Sequence, residues 1–216
     1  MHETIEISGK YRNLVTQMSR LILEQIKVSK HKRLSYEVIM FKEIVNKDIP
    51  LHFYLGLQTL YSTNLYVTGD AYNPTEPVSD QIPYIEVSIG TTGEKKHLSR
   101  IAVRLSNTLR HEIEHITQSG LNTLPGKYLP DDQKLRETVS EKEYLLLDKE
   151  IPAAVRGIHS ESLKSKKSFI HVLYDYLDRT YLLKKDIDEV ASIYLDKAKE
   201  LNLWKKWQYV TPAQQH

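Results

Sequence analysis

The hydrophobic periodicity of the chain changes from that of strands to that of helices close to Gly93, and this change limits the folds that it can adopt. Before Gly93, apolar and polar residues alternate with the two-residue period of β-strands at Leu51–Leu57, Leu65–Val67 and Ile85–Ile89. After Gly93 the period is helical, and no strand is predicted there. A small sheet followed by helices predicts an α+β fold in which a small, mostly antiparallel sheet packs on a helix and a helical C-terminal part follows.

Helices are predicted both before and after the strand region. Tyr11–Ile26 has its apolar residues on one face, and the basic stretch Lys27–Arg33 should end this helix. Ser140 followed by Glu143 forms a capping box, which predicts the start of another helix. The remaining predicted helices span Leu98–Ser119, with Gly120 as its cap, Ser168–Leu183 and Asp186–Leu203.

Other stretches leave more than one interpretation. Tyr36–Val45 is compatible with either a strand or a helix, whereas prolines and turn-forming residues predict loops at Asp70–Pro83 and Leu121–Gln133. Pro83 lacks a backbone donor, so the strand Pro83–Gly90 suits the edge of a sheet, where it could bind an extended peptide. Alternatively, Pro83 only marks the start of that strand.

Length and composition favour one globular domain. The chain has 216 residues, of which 40% are hydrophobic, and residues 1–216 are interpreted as a single unit. Its approximate regions are 1–33 (N-terminal helix and basic connection), 34–120 (sheet and central helix) and 121–216 (helical part). No apolar run is long enough to span a membrane and no secretory signal is recognisable, so a cytoplasmic location is expected. The net charge of +2 makes a nucleic-acid partner an unfavoured alternative.

The absence of cysteine restricts the chemistry that is available to the chain. There are nine histidines and no cysteines, which excludes disulfide frameworks, thiolate zinc sites, iron–sulfur clusters and cysteine nucleophiles. Any bound metal must therefore be held by imidazole or carboxylate groups, a donor set that suits zinc or a similar divalent ion.

Two histidines have the spacing of metal ligands. The predicted central helix contains the HExxH sequence His111-Glu112-Ile113-Glu114-His115. Residues four apart share one helix face, so both imidazoles can reach one ion, and Glu112 is close enough to accept a proton from water. The motif lies beside a core-facing stripe formed by Ala102, Leu105, Leu109, Ile113 and Ile116. The alternative is that these are two surface histidines without a metal.

Glu150 is the preferred candidate for a third ligand. Small residues follow it at Ala153, Ala154 and Gly157, which would allow its helix to approach the central helix closely. Pro152 could break the helix, which would either aim the carboxylate or leave Glu150 near a helix end. Asp148, His159 and Glu161 are the competing candidates, whereas capping and the helix dipole already account for Glu143 and Glu141.

His111, Glu112 and His115 resemble the signature of the zincin metallopeptidases, and a later glutamate such as Glu150 resembles the gluzincin branch, which includes thermolysin. The longer metzincin motif needs a glycine and a third histidine, which Ile116–Leu121 does not supply. Peptide deformylases share HExxH but need a cysteine ligand. The chain also resembles small HExxH proteins of bacteria and their phages. The resemblance covers about Ile85–Gly157 and implies a zincin-like fold for the domain.

The predicted function is that of a zinc-dependent hydrolase, and more specifically of a metallopeptidase that acts on peptides or proteins. Zn²⁺ would be held by His111, His115 and Glu150, with Glu112 as the general base. The donor to the developing oxyanion is left open between Tyr128, Tyr144, Arg156 and His159. His52, His97 and His171 are interpreted as ordinary histidines, and Trp204 and Trp207 as packing residues of the last helix. The alternative function is a catalytically inactive zincin-like module that binds a protein partner or assembly.

Overall fold

The structure, a computed structural model, describes residues 3–29, 37–46, 51–72, 84–92, 94–117 and 138–203. Four strands and six helices occur in these ranges, and all of the strands precede the second helix. In chain order they are α1 Glu3–Ser29, β1 Glu37–Asn46, β2 Leu51–Tyr61, β3 Tyr66–Tyr72, β4 Tyr84–Thr91, α2 Lys95–Thr117, α3 Glu141–Leu145, α4 Glu150–Ser165, α5 Phe169–Leu177 and α6 Lys184–Glu200. The predicted α+β class is thereby confirmed.

The strands form one mixed sheet in the order β1-β2-β4-β3. β1 pairs antiparallel with β2 and β3 antiparallel with β4, whereas β2 and β4 run parallel, with Leu55 opposite Ile85. The sequence-based placement of Pro83–Gly90 at an edge is therefore wrong, because β4 has a strand on both sides. Its Ile85, Val87 and Ile89 are buried, as expected of an interior strand. β3 is the edge strand on this side of the described sheet.

The first hydrophobic core lies between α1, the sheet and α2. α2 packs against β3, β4 and α1. Its stripe of Ile101, Leu105, Leu109 and Ile113 is fully buried, with a spacing of four residues that keeps it on one helix face. α1 contributes side chains at the same kind of spacing, including Leu14, Met18, Ile22 and Ile26. This core fixes the orientation of α2 and therefore the direction in which its polar face points.

A second core joins the helices that follow α2. α4 packs on α2 and also on α5 and α6, and Phe169 and Tyr194 are the largest side chains buried among them. The Ser140–Glu143 capping box at the start of α3 is present, as predicted. α5 is shorter than the predicted Ser168–Leu183 helix. The Thr180 hydroxyl donates to the carbonyl of Leu177 and accepts from the amide of Leu182, which replaces helical backbone bonds and turns the chain.

Three further predictions can be compared with the described elements. Tyr36–Val45 is mainly a strand, with residues 37–46 forming β1. Asp70–Tyr72 belongs to β3 rather than to a loop because these residues pair with β4, whereas 73–83 lie outside the described residues. Leu121–Gln133 and both tryptophans also lie outside them. No helix in the described part of the chain combines the length and apolar composition that a bilayer crossing requires.

Candidate metal centre

The two histidines of the HExxH motif come together in the last turns of α2. Their Nε2 atoms are 2.9 Å apart, and the imidazole rings meet edge to face with centroids separated by 4.6 Å. Both side chains are mostly buried, with exposed fractions of 17% for His111 and 13% for His115. Four-residue spacing on a helix places them one above the other, as the sequence predicts.

Glu150 reaches the same point from α4. Its Oε2 lies 3.3 Å from Nε2 of His111, and its Oε1 lies 3.5 Å from Nε2 of His115. Glu150 is the first residue of α4, after a turn that separates this helix from α3. Pro152 therefore lies in the first helical turn, where backbone N–H groups have no acceptor within the helix, and it need not break the helix. The turn before α4 directs the Glu150 carboxylate toward the two histidines.

The donor atoms of these three side chains have the spacing that a single metal ion needs. Ligand atoms held tetrahedrally at about 2.0–2.1 Å from zinc are about 3.3–3.4 Å apart. The observed separations of 2.9, 3.3 and 3.5 Å bracket this value. Among the described residues, His111, His115 and Glu150 form a group whose donor atoms all lie within 4.8 Å of one another and could hold a metal. The geometry does not identify the metal.

The ionised state of Glu150 suits metal binding, whereas a metal would have to displace a proton from His115. Burial alone would raise the pKa of Glu150, but the hydrogen bonds and charges of His111 and His115 hold that pKa well below its usual value. Burial opposes the charged form of His115, yet its hydrogen bond with Glu150 gives a net rise in its pKa. The hydroxyl of Tyr144 donates to Oε1 of Glu150 at 3.0 Å, which restrains the carboxylate. Glu150 is thus ionised, as a ligand must be.

Glu112 lies beside the donor group and is enclosed by β3. It is only 5% exposed, and burial is the main cause of the rise in its pKa. The neighbouring His111 and His115 oppose this rise, whereas Glu150 and Asp70 add to it. A raised pKa moves a carboxylate toward the range in which it can both accept and return a proton near neutral pH.

A glycine permits the close approach of β3 to Glu112. A β carbon added to Gly69 would lie 2.5 Å from Cγ2 of Thr108, 2.8 Å from Cγ of Glu112 and 2.9 Å from its Oε1. All three distances are shorter than real β-carbon contacts. Gly69 therefore allows the edge strand to cover the Glu112 side of α2 without displacing its side chains.

The distance between the two ligand-bearing helices is set at Gly157 and Asn107. A β carbon on Gly157 would meet Oδ1 of Asn107 at 2.3 Å and the backbone oxygen of Asn107 at 3.0 Å. Ala153 and Ala154, the other small residues of α4, are also buried. The predicted close approach of this helix to α2 is confirmed, and it is what lets Glu150 reach the histidines.

A buried ionic cluster also joins these helices. Glu114, inside the HExxH motif, pairs with Nη2 of Arg110 at 2.8 Å and with Nε of Arg156 at 2.9 Å. The guanidinium carbon of Arg110 lies 4.9 Å from the centre of the Tyr11 ring, which connects α1 to the same cluster. Glu114 thus links α2 to α4, whereas His111 and His115 of the same motif belong to the donor group.

The other candidate residues lie elsewhere or have different contacts. Asp148 is exposed and His159 half-buried, and neither belongs to the three-residue donor group. Glu161 accepts from Nδ2 of Asn107 at 2.6 Å and pairs with Arg179. His97 is a buried histidine beside two threonine hydroxyls, and the exposed His171 pairs with Asp175.

Two of the four candidates for the oxyanion donor, Tyr144 and Arg156, have partners among the described residues. Tyr128 lies outside the described residues, Tyr144 donates to Glu150, and Arg156 is paired with Glu114. Sequence reasoning missed the role of Gly69. A glycine inside a strand is a recognised sign of close packing and could have indicated the contact.

Comparison with protein-family models, with curated proteins and with solved structures found no match to this chain. The chemistry of the site therefore has to be argued from its own residues.

Proposed function

We propose that this protein is a zinc-dependent hydrolase with a zincin-like fold that cleaves peptide bonds. The observation that carries the proposal is the meeting of His111, His115 and Glu150 from two helices, with Glu112 buried beside them. Two nitrogen donors and one carboxylate leave a coordination position for water or substrate, which distinguishes catalytic zinc sites from closed structural ones. Within the described residues, the donor group contains these three side chains.

Each residue of the site has a defined task in such a reaction. A bound zinc ion would supply Lewis acidity, which lowers the pKa of water and polarises a carbonyl group. Glu112 accepts a proton from the attacking water and returns it to the leaving nitrogen. Tyr144 restrains the Glu150 carboxylate through its hydrogen bond. Burial of Glu112 excludes bulk water from the path of the proton.

The sheet edge suits a peptide substrate. β3 covers the Glu112 side of α2, pairs with β4 on one side and has no partner strand on the other among the described strands. An extended peptide could add to this edge through backbone hydrogen bonds. This assigns to β3 the role that the sequence had suggested for Pro83–Gly90.

Metal analysis and a cleavage assay on matched variants test the proposal. Wild type should contain one equivalent of zinc, His111→Ala and Glu150→Ala should lose it, and His171→Ala, a histidine outside the donor group, should keep it. Glu112→Gln should keep the zinc and lose cleavage of a denatured protein substrate. Wild type without stoichiometric zinc, or unchanged cleavage by Glu112→Gln, contradicts the proposal. Zinc binding without cleavage would favour the alternative of an inactive zincin-like binding module.

A further inference from the structure

A cavity of about 420 Å³ lies along α2. It is lined by residues 65–68 at the start of β3, by α2, by Glu161 of α4, and by residues of α5 and of the turn that follows it. Its polar and charged lining includes Thr68, Arg104, Thr108, Glu161, Tyr176 and Arg179. Ligand pockets have volumes of about 300–1,000 Å³, so this cavity suits a single side chain or the end of a peptide.

The cavity follows α2 away from the metal centre. Thr108 lines it and lies one helical turn, about 5.4 Å, before Glu112 on the same face. Arg104 lies one further turn away. Tyr176 also lines the cavity, and its pKa responds to the charges of both Glu150 and Glu112. The cavity is thus positioned to receive a group that lies close to a bond held at the metal centre.

Positively charged side chains outnumber negatively charged ones in the cavity lining. Arg104 and Arg179 contribute two positive charges, and Glu161 contributes one negative charge that already pairs with Arg179 at 3.3 Å. Glu161 also accepts from Asn107. The Arg104 guanidinium donates to the backbone oxygen of Leu65, which holds it at the cavity wall. The described lining therefore has an excess of one positive charge.

Because Glu161 pairs with Arg179, the excess positive charge is assigned to Arg104. Burial is the main cause of the lowering of its pKa, and the nearby charges of Arg179 and Arg100 lower it further. Glu161 only partly opposes them. An arginine remains charged under such conditions, so the local positive potential favours an anionic ligand.

We propose that this cavity is a substrate-binding subsite that recognises a peptide carboxylate through Arg104 and Arg179, with the hydroxyls of Thr68 and Thr108 as additional polar contacts. The carboxylate belongs either to an acidic side chain or to the C-terminus of the peptide. This inference rests on the proposed peptidase function. It adds to that function a preference for acidic groups on one side of the cleaved bond.

Small probes can test the subsite without requiring cleavage. N-acetylglutamate N-methylamide represents an acidic side chain, N-acetylalanine represents a C-terminal carboxylate, and N-acetylglutamine N-methylamide is the neutral control. Binding of each to the ¹⁵N-labelled full chain is measured by NMR titration. At least one carboxylate probe should bind about tenfold more tightly than the neutral probe. The tighter of the two identifies the source of the carboxylate.

Variants separate direct recognition from a general charge effect. Arg104→Gln and Arg179→Gln should each weaken the carboxylate probe by about fivefold or more, whereas Arg100→Gln, an equal charge change outside the lining, should weaken it less than about twofold. Glu161→Gln should strengthen binding, because it removes the competing carboxylate. A merely structural role for these residues would not produce opposite signs.

A variant without the two histidines separates failure of this subsite from failure of the proposed metal site. In a His111→Ala/His115→Ala variant, which lacks both imidazole ligands, the probe should still bind if the cavity is the site. Loss of binding in that variant would mean that the probe binds at a metal instead, and would overturn the inference. Equal binding of the neutral probe, or equal effects of Arg104→Gln and Arg100→Gln, would also overturn it.

Discussion

Gly69 of the edge strand and Glu112 of the central helix are packed so closely that a β carbon on Gly69 would lie 2.8 Å from Cγ of Glu112. This contact joins the sheet to the proposed general base. It also makes the position of Glu112 depend on a residue that carries no side chain.

Gly69→Ala should therefore lower the rate of peptide cleavage. The added methyl group must displace Glu112 or Thr108, and a displacement of about 1 Å in an active site can lower the rate about 100-fold. Zinc content should stay unchanged because the atoms nearest to the added methyl group belong to Thr108 and Glu112, neither of which is a proposed ligand. Gly56→Ala is the matched control, since a β carbon there has ordinary contacts of 3.8 Å. Cleavage rates per bound zinc measure the effect, and equal rates for the two variants would contradict it.

Glu114→Gln should destabilise the fold strongly. It leaves Arg110 and Arg156 buried without their counterion, and loss of one partner of a buried ion pair costs about 3–5 kcal/mol of unfolding free energy. Glu24→Gln, which breaks the exposed pair with Arg20, should cost less than about 1 kcal/mol. Urea denaturation of the two variants beside wild type provides the comparison. Similar losses would mean that the buried cluster does not hold the helices together.

The ligand-bearing helix could be predicted well because its signals are local. Four-residue spacing determines that His111 and His115 share a face, and an apolar stripe determines which face is buried. The small residues Ala153, Ala154 and Gly157 also correctly indicated that the second helix approaches closely. These inferences needed only the geometry of a helix.

The incorrect predictions concern features that depend on contacts between residues far apart in the sequence. Which strand lies at the edge of the sheet depends on which strands pair. No local signal in Pro83–Gly90 shows that this strand pairs with β2 on one side and with β3 on the other. Prolines and turn-forming residues predict a loop from Asp70 onward, yet pairing with β4 extends the strand to Tyr72. Arg104 lies on α2 and Arg179 in the turn after α5, and no local sequence pattern predicts that both line one cavity.

Stability should fall at alkaline pH because of buried tyrosines. Burial raises the pKa of Tyr194 well above its usual value, and its hydroxyl donates to the carbonyl of Leu145 at 2.9 Å. A pKa that is higher in the folded state gives stability that is complete below the unfolded pKa of about 10 and is lost as the pH rises above it. Tyr194→Phe should cost about 1 kcal/mol at neutral pH and make this decline smaller. Urea denaturation at several pH values measures both effects, and an unchanged alkaline decline would argue against this role.

Gly157→Ala should separate the two ligand-bearing helices. Its β carbon would meet Asn107 at both the side chain and the backbone, and the backbone oxygen cannot rotate away. Outward movement of α4 carries Glu150 away from the histidines, so zinc affinity should fall while His111 and His115 keep their mutual geometry. Competition with a chelator measures the affinity. Gly56→Ala again serves as the control, and equal zinc affinity in the two variants would show that the helix spacing does not set the site.

Tyr144→Phe tests whether the hydrogen bond to Glu150 tunes the metal site. Removal of a partner that orients a metal ligand lowers metal affinity by about 10–100-fold. The Tyr144 hydroxyl donates directly to Oε1 of Glu150, so its loss frees the carboxylate to rotate. Tyr174→Phe removes a similar hydroxyl that instead donates to Asp188 in an exposed pair, and it should leave the affinity unchanged. Because neither change removes a ligand, both proteins should still bind one zinc at saturation. A Tyr144→Phe protein with wild-type affinity would mean that the histidines alone hold Glu150 in place.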